Sequence, residues 1–450
     1  MAKPRSIRSL LAGAFAAALV VVALPEPLSA APGDLTFVSC IADDGMSGCT
    51  DPPLDPLFNA ETLVVSPDGT SVYATANFHG ALVHFTRAAN GTLTFAQCFA
   101  RNGNQGCTDL PGMDPFNSPE TVAISPDGTS VYVASSGAAD AIVHFTRAAD
   151  GTLAFESCIA ENGNAGCDNP PTDSLDGANA VTVSLDGTSV YAASFTDNSI
   201  THLIRAPDGS LTFGGCVANF GQSGCVNPPQ DPLSLASQVA VSPDGTSVYV
   251  TSFGDHSITH FTRAATGALS FVRCIADGGL SGCEDPPLDS LNSARQVAVS
   301  PEGSSVYVAG NGDNAVTSFV RAPDGSLTFQ GCISDAGQAG CVDPPIDALG
   351  NAFTVAISPS GTSLYVGALT DNAVNHFARA PDGDLTFTGC VSEAGDQGCS
   401  DPPIDSLFGA HGVAVSPGGA SVYVAAGSDG AITHFARELP PCQGKPGTVE

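Results

Sequence analysis

The chain of 450 residues holds 50 glycines, 33 prolines, no tryptophan and only 13% charged residues, which excludes long helices as its main material. Its formal net charge of −31 repels phosphate backbones and anionic lipid, so nucleic acid is excluded as an expected partner. A hydrophobic share of 43% is enough for a packed core and excludes a disordered chain.

The chain begins with Lys3, Arg5 and Arg8, then an apolar run from Leu10 to Leu24, then small residues at Ser29, Ala30 and Ala31. That order predicts a secretory signal peptide over residues 1–30, cleaved after Ala30 or Ala31. The apolar run is 15 residues long, short for a membrane span, and no second run of spanning length follows. The expected protein is therefore exported to the periplasm, the cell surface or the medium, with no membrane span after cleavage. Removing residues 1–30 takes away three basic groups and one acid and leaves a net charge of −33.

A repeat then occupies the chain. "SPDGTSVY" begins at Ser66 and returns, with small variations, at Ser125, Ser184, Ser242, Ser300, Ser358 and Ser416, at spacings of 59 or 58 residues. Each unit reads as four strands; in the third these are "AVTVS" from Ala180, "SVYAAS" from Ser189, "SITHLIRA" from Ser199 and "SLTFGGC" from Ser210. Ser-Pro-Asp-Gly and Pro-Asp-Gly supply the tight turns between them. Four antiparallel strands repeated seven times predict an all-β, seven-bladed propeller. The phase of the repeat also predicts its closure. "GDLTFVSC" (Gly33–Cys40) is a fourth strand with no partners before it, and the last unit stops at Arg437 without one, so the N-terminal strand completes the last blade. The propeller is expected over residues 31–437, with a tail over 438–450.

Fourteen of the 15 cysteines form pairs at one spacing: Cys40–Cys49, Cys98–Cys107, Cys158–Cys167, Cys216–Cys225, Cys274–Cys283, Cys332–Cys341 and Cys390–Cys399. In an exported chain these predict one disulfide in each long loop that joins a fourth strand to the next blade. Cys442 is left over in the tail, as a free thiol, an intermolecular partner or part of a dispensable segment.

"SPDGTSVYV" followed by a "DNAITHF"-like strand resembles the YVTN-repeat and lactonase-type seven-bladed propellers, which include 6-phosphogluconolactonase-like and carboxymuconate-cyclase-like proteins. The resemblance runs from about Gly33 to Arg437. It implies either lactone hydrolysis or the recognition role that other such propellers serve.

The repeat supplies its own internal control, since a catalytic group is needed once. His84, His144, His202, His260, His376 and His434 share one position, with Ser318 in the remaining copy. Arg87, Arg147, Arg205, Arg263, Arg321, Arg379 and Arg437 share another. Both series read as structural. Five residues before each SPDG-type serine the copies disagree: Glu61, Glu120, Asn179, Ser237, Arg295, Phe353 and His411. In a propeller this position faces the mouth of the central channel. As a catalytic set, His411 or Glu61 is the general base on water, with Glu120 beside it and Arg295 facing the developing oxyanion. The resemblance also implies a histidine before a first strand, which His411 matches. Phe353 is a candidate plug.

No cofactor is required by these readings. Ca²⁺ is the ion that Glu61, Glu120 and Asn179 would suit as hard oxygen ligands, and the loop acids Asp51/Asp55, Asp285/Asp289, Asp343/Asp347 and Asp401/Asp405 form a second candidate set. The leading expectation is a monomeric recognition propeller. Its loop-rich acidic face and channel mouth would take a protein, a carbohydrate or a small molecule. The alternative is a lactone hydrolase.

Overall fold

The computed structural model describes residues 33–110 and 114–439. The predicted signal peptide, Cys442 and most of the expected tail lie outside the described residues. Within them the chain forms 28 strands, β1 to β28 in chain order, grouped in seven four-stranded antiparallel sheets. The first complete blade comprises β2 (Ala60–Val65), β3 (Ser71–Ala76), β4 (Ala81–Arg87) and β5 (Leu93–Ala100). The innermost strands of the following blades are β6 (Pro119–Ile124), β10 (Ala178–Val183), β14 (Ala236–Val241), β18 (Ala294–Val299), β22 (Ala352–Ile357) and β26 (Ala410–Val415).

The ring closes as the repeat phase requires. β1 (Leu35–Ala42) pairs antiparallel with β28 (Ala431–Arg437), so the first strand of the chain is the outer strand of the last blade. Closure leaves no open blade edge at the seam, where an unpaired strand would invite aggregation.

Burial follows strand position. The second strand of every blade, such as β3, is buried along its whole length between neighbouring sheets. The outer strand alternates, as in β5, until its buried end at Cys98–Ala100. The core is therefore divided among the blade interfaces. At one of them Ala180, Tyr191 and Ile200 of the third blade pack on Val239, Val248, Val250 and Phe261 of the fourth.

A polar joint repeats at each interface on the face of the tight turns. Tyr249 donates its hydroxyl to the carbonyl of Gly325 in the next blade at 2.6 Å and accepts from Arg321 Nε at 2.8 Å. The same guanidinium reaches Asp244 at 2.9 Å. His260 stacks on Tyr249 at 5.1 Å and bonds Ser247 Oγ at 3.1 Å. Gly325 has φ +83, and a Cβ there would stand 2.1 Å from Ser247 Oγ, so this turn admits only glycine. The repeated histidines and arginines are thus structural, as their recurrence predicts.

All seven disulfides form, with Cα atoms 4.9–5.0 Å apart. Each spans a tight six-residue turn such as Asp277–Gly282, which returns the chain to a one-residue parallel bridge, Ile275 to Glu284. The first residue of the turn then holds the far end of the loop. Asp277 accepts the backbone N–H of Leu291 at 2.9 Å, and Asp43, Asp335 and Glu393 do the same for Leu57, Leu349 and Leu407. No helix among the described residues is long and apolar enough to cross a membrane.

Candidate active site at the channel mouth

A β-bulge places every residue of the channel ring. In the second to seventh blades the pairing of the innermost strand skips one residue, and the skipped residues are Glu120, Asn179, Ser237, Arg295, Phe353 and His411. In the first blade the skip covers Glu61 and Thr62. A bulged residue is released from the ladder and re-aimed, here toward the axis. The seven positions that differ among the copies are therefore gathered in one site, together with Gln238, Gln296 and Thr354 one residue on.

Hydrogen bonds between neighbouring blades hold this ring. Asn179 Nδ2 donates to the Ser237 carbonyl at 2.7 Å, Ser237 Oγ to the Arg295 carbonyl at 3.0 Å and Thr62 Oγ1 to the Glu120 carbonyl at 2.9 Å. The enclosed space is small, about 30 Å³, and is roofed from one side by an aromatic stack. The Arg295 guanidinium lies 4.5 Å above the Phe353 ring, and Phe353 meets His411 edge-on at 5.0 Å. Phe353 lines the site and its ring face supports the Arg295 guanidinium.

The two carboxylates are oriented by asparagines. Asn59 Nδ2 donates to Glu61 Oε1 at 2.9 Å. Glu120 Oε1 accepts from Asn77 Nδ2 at 2.8 Å and from Ser136 Oγ at 2.6 Å. Sequence reasoning missed these partners. Asn59 carried a faint signal, because its counterparts two residues before the ring are Ser118, Gly177, Leu235, Ser293, Asn351 and Gly409.

Electrostatics separate the members. Burial pushes Glu61 up, and Arg295 and Asn59 counter it. Burial lifts Glu120 to about 7, and the charge of Glu61 adds to the rise. Burial also depresses Arg295, against the pull of Glu120 and then Glu61. His411 falls to about 4 through burial and then the Arg295 charge, and its Nδ1 is buried without a hydrogen-bond partner. The ring thus holds an arginine, a histidine that is neutral at neutral pH and two carboxyls that burial pushes up. Among the described residues no hydrogen bond or ion pair within 4.0 Å engages the Arg295 guanidinium.

Among the described residues no group of three or more His, Cys, Asp or Glu side chains is placed to hold a metal ion. Asn179 commits Nδ2 and Glu120 commits Oε1 to protein partners. The loop acids Asp55, Asp289, Asp347 and Asp405 each accept a backbone N–H from the turn 11 residues earlier.

The family model described as "Lactonase, 7-bladed beta-propeller" matches residues 221–344. The chain is also similar to a putative 6-phosphogluconolactonase from Bacteroides uniformis, at 19% identity over 73% of this chain and 83% of that one, with a TM-score of 0.53. It is similar to the periplasmic gluconolactonase of Pseudomonas aeruginosa at 20% identity, over 86% and 93%, with a TM-score of 0.52. A third likeness, to the hydrazine synthase of Kuenenia stuttgartiensis, has 15% identity over 86% and 98%, with a TM-score of 0.56. No curated protein sequence matches the chain. By fold, then, the chain is a seven-bladed β-propeller, and residues 221–344 of it are similar to the lactonase family. These comparisons favour the hydrolase alternative and give no support to the recognition role expected first.

Proposed function

We propose that the channel mouth hydrolyses a lactone. The observation that carries this reading is the convergence of Arg295, Glu61 and Glu120, one cation and two unequal carboxyls, on bulged positions of a single ring. A pair of carboxyls pushed apart in proton affinity divides into a base and an acid. Glu61, where Arg295 and Asn59 counter the rise that burial causes, takes the part of the base; Glu120, raised to about 7 beside it, takes that of the acid. The space of about 30 Å³ admits a water or two rather than a sugar ring, so the lactone rests on the ring from the loop side.

Glu61 takes a proton from this water as its oxygen bonds to the carbonyl carbon. The ring C–O bond breaks, and Glu120 returns a proton to the departing alkoxide. Arg295 faces the oxyanion and then the product carboxylate, with no ion pair to surrender first. His411, neutral above about 4, supports Phe353 and is not the base. Seven disulfides suit an oxidising compartment, and the reaction belongs outside the cytoplasm.

The test is turnover of five- and six-membered lactones by the whole chain. Glu61→Gln lowers kcat/KM roughly 10²-fold or more, and Arg295→Lys by about 10², as lost base and oxyanion partners do. His411→Asn changes it by less than about fivefold, since that side chain transfers no proton. With spontaneous hydrolysis subtracted, kcat falls as pH rises through about 7, where Glu120 loses its proton. Absence of turnover on every lactone, or an undiminished Glu61→Gln rate, overturns the reading.

A further inference from the structure

The first blade departs from its copies at a second place on the loop face. In the turn between β3 and β4 the chain reads Phe78-His79, where the third to seventh blades have a small residue followed by aspartate: Thr196-Asp197, Gly254-Asp255, Gly312-Asp313, Thr370-Asp371 and Ser428-Asp429. The aspartate of those copies accepts a backbone N–H from its own loop, as Asp197 does from Asp176 and Asp429 from Phe408. The departure in the first blade removes that structural carboxylate and leaves two phenylalanines in the open. Phe78 is 71% exposed and Phe58 41%, and their rings meet edge-on at 5.1 Å. Both rings stand 5.8 Å from the His79 imidazole.

Phe58 and His79 of this corner line a cavity of about 340 Å³, distinct in its lining from the channel ring, and Phe78 backs Phe58. Asp43, Asp44, Asp55 and Asp429 line it, and no Lys or Arg does. Asp55 and Asp429 each commit one oxygen to a backbone N–H, and Asp43 is held by Leu57 N–H. His79 Nδ1 is buried, makes no hydrogen bond and stands 3.8 Å from Asp43 Oδ2, while Nε2 faces Gln105 Nε2 at 3.1 Å. Burial lifts Asp43 to about 7 and pushes Asp429 up, so the negative field beside the exposed ring faces grows as pH rises. Acidic groups with no cation among them, set beside ring faces, suit a cation with an apolar body; a neutral sugar would use the rings alone, and an anion is repelled.

We infer that this cavity binds an organic cation, an ammonium or guanidinium head on a short apolar body. The head sits among Asp43, Asp44, Asp55 and Asp429 and the body rests in the Phe58–Phe78 corner. The site is independent of the lactone reading, because it shares no side chain with the ring that carries it.

Three isosteric probes test it by calorimetry on the whole chain at fixed ionic strength: benzylammonium, benzyl alcohol and benzoate. Benzylammonium binds at least about tenfold more tightly than benzyl alcohol, and benzoate does not bind. Phe78→Ala weakens benzylammonium by about tenfold, and this exposed residue is replaced without threat to the fold. Phe220→Ala, at a phenylalanine 76% exposed in the loop that leads into the fourth blade, leaves binding unchanged. Equal affinity for the alcohol and the ammonium, an unaffected Phe78→Ala variant, or no binding of benzylammonium overturns the inference. Displacement of benzylammonium by micromolar Ca²⁺ also overturns it, by making the cavity a metal site.

Discussion

At the scale of single residues, the chain repeatedly buries a carboxyl where a backbone amide needs an acceptor. Asp277 is the clearest: burial raises it to about 7, its bond from Leu291 N–H works against that rise, and Asp313 and Asp289 add to it. In the unfolded chain this group titrates near the ordinary value for aspartate. A folded-state value above the unfolded one means the native state binds the proton more tightly. The contribution is therefore fully present below about 4 and is lost as pH rises through about 7. Asp277→Asn keeps an acceptor and removes the titration. Its melting temperature relative to wild type should be more favourable at pH 8 than at pH 5, and a difference independent of pH would contradict the argument. The turn acids opposite the arginines behave in the other sense. Asp68, Asp127, Asp186 and Asp244 are held well below the usual carboxylate range, by hydroxyl and amide donors and the facing guanidinium, against a desolvation that would raise them.

At the scale of elements, the blade is defined by its joint to the next. Strand propensity makes four strands, but an isolated four-stranded sheet leaves its second strand's side chains without cover. The tyrosine at the third position of each second strand solves this by passing its ring into the interface and its hydroxyl to the next blade. Tyr249→Phe keeps the packing and removes one hydroxyl, which leaves the Gly325 carbonyl and Arg321 Nε–H unpaired in a buried place. The expected loss is about 2–3 kcal/mol, read as a lowered denaturation midpoint at unchanged slope. A loss within about 0.5 kcal/mol would mean that water replaces the hydroxyl. The repeat made this tyrosine visible in the sequence as "SVY", yet its partner was hidden. Gly325 looks like an ordinary turn glycine, and only the ring brings it onto Ser247 and Tyr249.

At the scale of the whole molecule, the seven joints are not equivalent. Five carry an ion pair between the arginine and an acid of the preceding blade: Arg147–Asp68, Arg205–Asp127, Arg263–Asp186, Arg321–Asp244 and Arg379–Glu302. The two joints of the closing blade have none, because Ser360 and Gly418 occupy the acid's place. There Arg437 settles for Thr362 and Ser363 hydroxyls, and Arg87 for the Tyr423 and Ser421 hydroxyls. The seam blade, stitched from both chain ends, is thus also the blade with the weakest electrostatic joints. Gly418→Asp should supply the missing acid opposite Arg87, since nothing stands within 4 Å of a Cβ there and its φ is not in the glycine region. The gain should be about 0.5–1 kcal/mol, from a part-exposed ion pair and the loss of a flexible glycine, and it should shrink in high salt. An unchanged melting temperature would show that opening does not begin at the seam.

Periodicity alone carried the blade number, the four strands, the closure by β1 and the seven disulfides, because each is a local pattern repeated until chance is excluded. It also marked the ring positions, since Glu61, Glu120, Arg295 and His411 stand where the copies cease to agree. What the tertiary structure decided is how those residues meet. The Arg295–Phe353–His411 stack and the bond from Asn77 to Glu120 depend on contacts between residues 40 or more positions apart, and the bulges that aim the ring exist only once each innermost strand has paired. The raised proton affinities of Glu61 and Glu120 arise from burial and are modulated by charges on other blades. A linear pattern holds neither quantity, because both exist only after the ring has closed.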